Sequence, residues 1–421
     1  MADVQPLHAL HYSLDHVGGL APVVAPPYDV IDPEQRAVLA ARSPYNVVEL
    51  DLPRADGDLD PYAHAATLFS TWQAEEVLVR DVEPALWALA QDYTGPDGST
   101  HTRRGVFARV RVEDYGPGRI RPHERTHPGP KEDRLRLTRA TRANLSPIFS
   151  LYDDPDGAVW SALSPHTESV PWGDVTDEDG TEHRLWRVPE ADAAAAVAEA
   201  LRDTELLIAD GHHRYETARV YAEEMGGEGG HRYVLMCLVA LQDPGLTVFP
   251  THRLLTRLSD EQRVALREAI TRDWEMTEVT REALEPAAVA GGTIRVGYYD
   301  AHHQRPLLLT LRDPAIADAA LPGMPEPYRR LDTAVLEALL LKGALGMTED
   351  DISHLDGLDY ARDTEQARSR VEAGDVEAAF FMSSTPVDRV RDVAAAGVNM
   401  PPKSTYFFPK VLTGMIFNPL A

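Results

Sequence analysis

The spacing of apolar residues predicts helices and strands in alternation through the first half of the chain. Helical spacing and helix-start signals predict helices over 33–42, 61–76, 132–143, 190–203 and 215–225. Apolar or β-branched runs predict strands over 85–93, 105–112, 145–152, 205–210 and 232–241. Residues 154–188 are rich in turn-forming residues, so we expect them to be peripheral.

The second half of the chain repeats this alternation. Helices are expected over 259–273, 331–345 and 386–396, and strands over 293–299, 306–312 and 376–383. Such a pattern favours an α/β fold of the mixed α+β kind, with mixed sheets. We place a domain boundary near residue 255, which predicts one domain over 1–255 and a C-terminal α/β domain over 256–421.

Charge and composition narrow the classes of function. The chain has 421 residues, with 67 acidic against 41 basic side chains and a net charge of −26. This balance argues against a protein that coats nucleic acid or binds anionic membranes. The single Cys237 excludes an intramolecular disulfide framework. No apolar stretch reaches the roughly 18 residues of a membrane span, and no secretion signal is visible, so we expect a cytoplasmic protein.

Lysine is rare in this chain, which otherwise uses arginine. The four lysines are Lys131, Lys342, Lys403 and Lys410. Two of them lie in the C-terminal motif 400–410, where a compact ammonium could neutralise phosphate. The alternative is codon bias, together with an ordinary C-terminal strand that exposes two lysines.

The segment 206–218 combines an apolar strand, an acid, a glycine, two histidines and an arginine before a helix. The N-terminus of a helix offers free N–H groups and a positive dipole, which bind phosphate. Gly211 permits close approach of a ligand to the backbone, and Arg214 could fork onto phosphate oxygens. Asp210 could hold a metal or orient a histidine. The alternative is a glycine turn with solvated polar residues.

The segment 119–142 reverses the overall charge, because it holds eight basic residues against three acidic ones. Such a reversal is typical of an anion-binding surface. Within it, Glu124 lies beside His123 and Arg125, and could act as a general base or a metal ligand. A solvated loop followed by a charged helix face is the alternative interpretation.

Five motifs together resemble the prokaryotic family called domain of unknown function 1015. They are APPYDV at 25–30, PHERT at 122–126, ADGHHRYETA at 209–218, PTHR at 250–253 and PKSTYFFPK at 402–410. The resemblance runs from the N-terminus to the last residues. The family name implies no activity.

A more distant resemblance concerns the turn alone. Strand–Asp–Gly–His–His–Arg–helix is similar to the nucleotide-binding signature of the ParB/sulfiredoxin-like fold, in which such a turn holds nucleotide phosphates. That fold includes kinases that phosphorylate free L-serine and DNA-partition proteins that hydrolyse nucleotides. The resemblance reaches Asp210, Gly211, His212, His213 and Arg214. It implies a ParB/sulfiredoxin-like core with large insertions within 1–255, and we expect the segment 400–421 to pack back on the site.

These observations lead to the hypothesis of a nucleotide-dependent small-molecule kinase that phosphorylates a metabolite hydroxyl, such as that of free L-serine. ATP or ADP and Mg²⁺ are the expected cofactors. Gly211, His213 and Arg214 would bind the phosphates, and Asp210 or Glu124 would hold Mg²⁺ or activate the hydroxyl. The further candidates are Arg125, Lys131, Lys403 and Lys410 for phosphate charge, and His212 and His213 for catalysis.

Two alternatives stay open. A metal-dependent hydrolase would use His123, His127, His212, His213 and Asp210, since imidazole and carboxylate suit transition metals. A non-catalytic regulatory protein would bind a nucleotide without turnover. From the chain as a whole we expect a small phosphorylated ligand or a nucleotide as partner, and no nucleic acid or membrane. The sequence is compatible with a homo-oligomer.

Overall fold

The computed structural model describes residues 2–95, 98–124, 128–287 and 293–420, with the backbone alone for 128–130. These residues form two compact units. The first unit comprises 2–122, 128–247 and 409–420, and the second comprises 123–124 and 248–408. None of the described helices is long and apolar enough to cross a membrane.

The first unit mixes helices and strands. Its helices are α1 (Leu14–Val17), α2 (Pro33–Arg42), α3 (Val48–Asp51), α4 (Pro61–Ala74), α5 (Pro128–Thr141), α6 (Ala158–Leu163), α7 (Ala191–Leu201) and α8 (His212–Met225). Its strands are β1 (Val4–Gln5), β2 (Leu10–Tyr12), β3 (Leu78–Arg80), β4 (Leu86–Thr94), β5 (Thr100–Arg111), β6 (Ile120–Pro122), β7 (Ala143–Asn144), β8 (Ile148–Tyr152), β9 (Gly173–Thr176), β10 (Glu182–Val188), β11 (Leu206–Asp210), β12 (Tyr233–Ala240) and β21 (Asn418–Pro419). The mixed α/β class predicted from the sequence is confirmed.

A nine-stranded mixed sheet is the centre of the first unit. Its order is β6-β11-β8-β12-β5-β4-β10-β9, and β1 pairs with β5. Strand β11 runs parallel to β6 and antiparallel to β8. The register of β11 against β8 shifts between Ile208 and Asp210, and such a bulge re-aims the side chain that follows it. Asp210 therefore lies at a bulge, where the regular pairing of β11 with β8 is interrupted.

Alternation along the strands builds the core of the first unit. Ala88, Val106 and Met236 lie on one face of the sheet and are fully buried. They pack with apolar residues of α6, α7 and α8, among them Val197. Burial at roughly 25 cal/mol per Å² of apolar surface makes this face the main stabiliser of the unit.

Two local expectations about the first unit were wrong. Residues 154–188 are not peripheral, because β9 and β10 occupy the edge of the large sheet next to β4. Helix α8 begins at His212 rather than at residue 215. The histidines are therefore its first turn, because Gly211 takes the left-handed conformation that lets the helix follow the strand directly.

The second unit also combines helices with a sheet. Its helices are α9 (Asp260–Asp273), α10 (Pro314–Ala320), α11 (Glu326–Arg329), α12 (Asp332–Leu336), α13 (Glu349–His354), α14 (Thr364–Ala373) and α15 (Val387–Ala395). Its strands are β13 (Thr247–Phe249), which begins at the last residue of the first unit, β14 (His252–Leu255), β15 (Trp274–Glu278), β16 (Arg295–Asp300), β17 (Leu307–Leu311), β18 (Leu358–Ala361), β19 (Ala378–Phe381) and β20 (Tyr406–Phe408).

The sheet of the second unit is antiparallel throughout, in the order β15-β17-β16-β19-β14-β18. Its two faces are both buried. One face packs on α9, α12 and the π-helical segment Glu337–Ala344 that continues α12, and the other packs on α14. The helix predicted over 331–345 is therefore an α-helix that widens into a π-helix.

Candidate functional site

The turn between β11 and α8 has the geometry that its glycine suggests. Gly211 has a φ of 98°, which only glycine adopts without strain. A Cβ at this position would lie 3.0 Å from Nε of Arg214 and 3.3 Å from Cα of Ile148. The residue therefore has two reasons to be glycine, its backbone conformation and the packing of Arg214 against it.

Asp210 lies between two cations of the same unit. Its Oδ2 accepts a hydrogen bond from Nζ of Lys410 at 2.6 Å, and its Oδ1 accepts one from Nη2 of Arg214 at 3.1 Å. Burial raises the pKa of the Asp210 carboxyl, but the charges of Lys410 and Arg214 outweigh burial and lower it well below its usual range. We call these three residues the Asp210 cluster.

Arg214 has further contacts on the side of the segment before β8. Its Nη1 donates to Oγ of Ser146 at 2.9 Å and to the carbonyl of Pro147. Burial lowers the pKa of its guanidinium, but the charges of Asp210 and of further acidic groups nearby together raise it above its ordinary value, so Arg214 stays charged. Its Nε is buried and has no hydrogen-bond partner among the described residues. One donor of a charged side chain is thus left unsatisfied among the described residues.

A second ion pair lies close to Arg214 and was missed from the sequence. Nη1 of Arg134 on α5 donates to Oδ1 of Asp51 at 2.8 Å, and both side chains are buried. The Arg134 guanidinium lies 4.3 Å from the ring centre of Tyr28. Burial raises the pKa of Asp51, although Arg134 and Arg214 oppose this effect. An acid within the apolar run 47–52 was the only available signal for Asp51.

A cavity of about 40 Å³ connects these groups. It is lined by Tyr28, Asp51, Arg134, Leu137, Thr138, Ala143, Asn144, Leu145, Ser146, Arg214, Thr217 and Val234. One water needs roughly 10–15 Å³, so the cavity has room for a few waters or one small anionic group. Oγ1 of Thr217 is buried there and has no hydrogen-bond partner among the described residues. Unsatisfied donors in a cavity with two guanidinium groups fit an anionic ligand.

A buried polar network holds the backbone next to Lys410. Arg103 is fully buried, and its Nε donates to Oε1 of Gln91 at 2.9 Å. Its Nη2 donates to the carbonyl of Pro409, and Nε2 of Gln91 donates to the carbonyl of Lys410 at 3.0 Å. Gln91 also contacts Nδ1 of His183 at 3.1 Å. The network fixes the segment from which the Lys410 ammonium reaches Asp210.

The other candidates from 119–142 that belong to the first unit occupy ordinary positions. Lys131 lies half-buried on α5. The basic charge of this segment is largely neutralised, since Arg121 pairs with Glu205 at 2.8 Å and Arg139 pairs with Glu224. Among the described basic residues of the segment, Arg134 is the one that lines the cavity.

His123 and Glu124 belong to the second unit, as does Lys403. His123 is buried, and its Nε2 lies 2.8 Å from Oγ1 of Thr405. Oε1 of Glu124 accepts the backbone N–H of Lys403 at 2.9 Å, and Lys403 itself has a φ of 56° with an exposed side chain. The carboxylate thus stabilises a left-handed backbone position that lysine rarely adopts. Arg125 and His127 lie outside the described residues.

The histidines of the turn occupy different environments. His212 is buried and His213 is half-buried at the start of α8. Within 2–95, 98–124, 128–287 and 293–420, no group of three or more His, Cys, Asp or Glu side chains is arranged to hold a metal. The metal roles of Asp210 and Glu124 stay predictions.

A family model described as "Protein of unknown function (DUF1015)" matches residues 4–334. A search among curated proteins finds no match. Several solved structures share low similarity with the chain, and three of them illustrate its extent. A conserved hypothetical protein from Pyrococcus furiosus is 14% identical, with 72% of this chain and 90% of that chain covered and a TM-score of 0.35.

A free serine kinase in complex with AMP is 14% identical, with 72% and 86% covered and a TM-score of 0.36. SbnI with a C-terminal truncation, from Staphylococcus aureus, is 11% identical, with 73% and 85% covered and a TM-score of 0.37. These similarities are too distant to assign an activity. The ParB/sulfiredoxin-like character of the turn stays a prediction.

Proposed function

Because this chain belongs to the DUF1015 family, whose description names no activity, we propose its function from the geometry of the Asp210 cluster. The proposal is a nucleotide-dependent small-molecule kinase whose phosphate site lies at the turn 211–214. The proposal rests on the position of Arg214. Its side chain packs against Gly211 and lines a cavity large enough for a small anion. Its Nε is buried and has no hydrogen-bond partner among the described residues. Asp210 holds this guanidinium in place.

The first supporting step is electrostatic. Phosphoryl transfer depends on positioning and on neutralising charge on the phosphate oxygens. Arg214 and Arg134 present two guanidinium groups to one cavity. The ammonium of Lys410 is held 2.6 Å from Oδ2 of Asp210, outside the described lining of this cavity. A phosphate in the cavity would meet hydrogen-bond donors that the fold already holds in position. Such preorganised donors stabilise the charge of a phosphoryl group during transfer, because the protein does not have to reorganise.

The second step concerns the reaction. A phosphoryl group would pass from the terminal position of ATP or ADP to the hydroxyl oxygen of the acceptor. The bond between its phosphorus and the bridging oxygen breaks and leaves ADP or AMP. The acceptor oxygen forms the new P–O bond, and its proton passes to solvent water. Asp210 is a weak proton acceptor while both cations hold it. Its role in the proposal is therefore to position Arg214 and Lys410.

The surroundings of Asp210 do not fit a Mg²⁺ ion held by the protein alone. Arg214 and Lys410 already occupy the two oxygens of the Asp210 carboxylate, and their positive charges repel a further cation. Mg²⁺ is usually bound through one or two carboxylates together with substrate phosphates. Glu124, Arg125, Lys131 and Lys403 stay sequence-based candidates, and the proposed site is built without them.

Nucleotide binding by the full chain tests the proposal. Isothermal titration with ATP and with ADP should give binding that Arg214→Ala weakens at least tenfold, because a fork to phosphate is lost. Arg219→Ala is the matched control on the same helix, since Arg219 pairs with Asp114 and Glu216. Equal affinities of both variants and the parent would contradict the site. Transfer of labelled phosphate to a pool of hydroxylated metabolites, L-serine included, then tests the kinase activity.

A non-catalytic nucleotide sensor is the second candidate. The low pKa of Asp210 favours it, because a carboxylate locked between two cations is a poor general base. Tight nucleotide binding that Arg214→Ala abolishes, without transfer to any acceptor, would support the sensor over the kinase.

A further inference from the structure

A second cavity of about 40 Å³ lies wholly within the second unit. It is at the end of the β16–β19 ladder, where Gly297 pairs with Phe381 and Arg295 extends β16 beyond that pair. Its polar lining residues are Arg295, Arg330, Asp332, Ser383, Thr385 and Arg389. The first unit and the Asp210 cluster contribute nothing to this lining.

Arg295 and Arg389 have guanidinium N–H groups without a hydrogen-bond partner among the described residues. In the part of the chain that the structure describes, the ion pairs beside the cavity belong to Arg329, Arg330 and Arg391. Neither Arg295 nor Arg389 takes part in them. Nε of Arg295 is buried without a hydrogen-bond partner among those residues. Arg389 uses Nη1 to donate to the carbonyl of Arg330 at 2.9 Å. Both cations line the same small cavity, in a chain with 67 acidic and 41 basic residues.

The remaining charged groups at the cavity are already engaged. Arg330 makes two hydrogen bonds to Asp318, at 2.8 and 3.2 Å. The carboxylate of Asp332 accepts Oγ of Ser383 at 2.7 Å and the backbone N–H of Thr333 at 2.7 Å. These contacts fix the walls of the cavity and leave the guanidinium groups of Arg295 and Arg389 as its open donors.

We infer that this cavity binds a small oxyanion, a phosphate or a carboxylate group, between Arg295 and Arg389. Guanidinium groups form paired, charge-assisted hydrogen bonds with the oxygens of either anion. Partial burial strengthens such bonds, and a buried cation without a counter-ion is costly to retain. An oxyanion would satisfy the open donors. The site is separate from the proposed nucleotide site and does not depend on it.

The test uses the full chain carrying Arg214→Ala, so that the first-unit site does not contribute. Inorganic phosphate and acetate are titrated separately at constant ionic strength, by calorimetry and by thermal unfolding. We expect one of these anions to bind with one-to-one stoichiometry and to raise the Tm. Adding Arg389→Gln should weaken that binding at least tenfold.

Arg391→Gln is the matched control, because Arg391 lies on the same helix and pairs with Asp388 and Asp392. Arg295→Gln is the second variant, used if Arg389→Gln unfolds. Binding of neither anion, or equal affinity in the Arg389 and Arg391 variants, would overturn the inference. The nucleotide proposal is tested by a separate measurement, the effect of Arg214→Ala on ADP affinity.

Discussion

Nζ of Lys410 lies 2.6 Å from Oδ2 of Asp210, which joins the C-terminal motif to the end of β11 across 200 positions of sequence. Only 15% of the Asp210 side chain and 16% of the Lys410 side chain are exposed. The pair therefore has limited screening by solvent, unlike most surface ion pairs. The C-terminal residues 409–420 belong to the first unit, and backbone hydrogen bonds from Thr413 to Ala25 and from Phe417 to Leu10 join them to it as well.

Lys410→Met should destabilise the first unit by about 3 kcal/mol at pH 7, because it leaves a buried carboxylate with one cation instead of two. Asp210 has a folded pKa below its unfolded value, so its contribution is present at neutral pH and is lost as pH falls below about 4. Urea unfolding at pH 7 and pH 3 measures both effects, and the variant should differ less from the parent at pH 3.

Lys342→Met is the control for that experiment. Lys342 pairs with Glu337 and Glu349, and 32% of its side chain is exposed. Its loss should cost at most about 1 kcal/mol. Equal losses from the two lysine variants would show that the Asp210–Lys410 pair has no special weight.

Gly211→Ala should weaken ADP binding as well as stability. The φ of 98° strains any L-residue, and the new Cβ would push against Arg214 and the backbone of Ile148. Gly374→Ala is the control, since Gly374 has a φ of 77° at the end of α14 with open space around it. Both variants should lose about 1 kcal/mol of stability, whereas calorimetry should find weaker ADP binding for Gly211→Ala alone.

Arg103→Lys should lower both stability and ADP affinity. Lysine cannot reproduce the fork to Gln91 and Pro409, so the backbone that carries Lys410 loses its support. Burial lowers the pKa of the Arg103 guanidinium to about 10, so the side chain is charged at neutral pH. Its described hydrogen bonds go to Gln91 and to the carbonyl of Pro409, and neither partner is an acid. We expect a loss of about 3 kcal/mol in urea unfolding. The adjacent Arg104→Lys, at an exposed position, should change neither measurement.

His252 should make the second unit acid-sensitive. Its Nδ1 accepts the backbone N–H of Met382 at 3.1 Å, and burial lowers the pKa of the imidazole to about 4. Between pH 6.5 and 4 the unfolded chain binds a proton that the folded chain does not, so stability falls as pH falls through this window. The loss between pH 7 and pH 5 should be about 2 kcal/mol.

His252→Gln should remove most of that pH dependence, as measured by urea unfolding at the two pH values. The exposed His354 provides the control, and His354→Gln should keep the full dependence of the parent. If the parent and His252→Gln lose the same stability on acidification, the effect comes from other groups.

Some parts of the site could be predicted from sequence because they are local. The turn at Asp210–Arg214 was recognisable because an apolar strand, a glycine and a helix start follow one another directly. Lys410 could be recognised because lysine is rare in this chain. The sequence did not indicate that Asp210 is its partner. Tyr28, Asp51 and Arg134 were missed as a group, since each looked like an ordinary residue of a loop or helix.

The sequence alone determined the α/β class, the strand–glycine–helix turn and the residues of most helices, because hydrophobic periodicity and capping act over a few neighbouring residues. Tertiary structure alone decided that 154–188 contributes sheet strands and that α12 widens into a π-helix. Tertiary structure also decided which acidic side chain pairs with which basic side chain. Pairings such as Asp51 with Arg134, or Asp210 with Lys410, depend on the packing of segments far apart in the chain, and ion pairs leave no periodic pattern from which to read them.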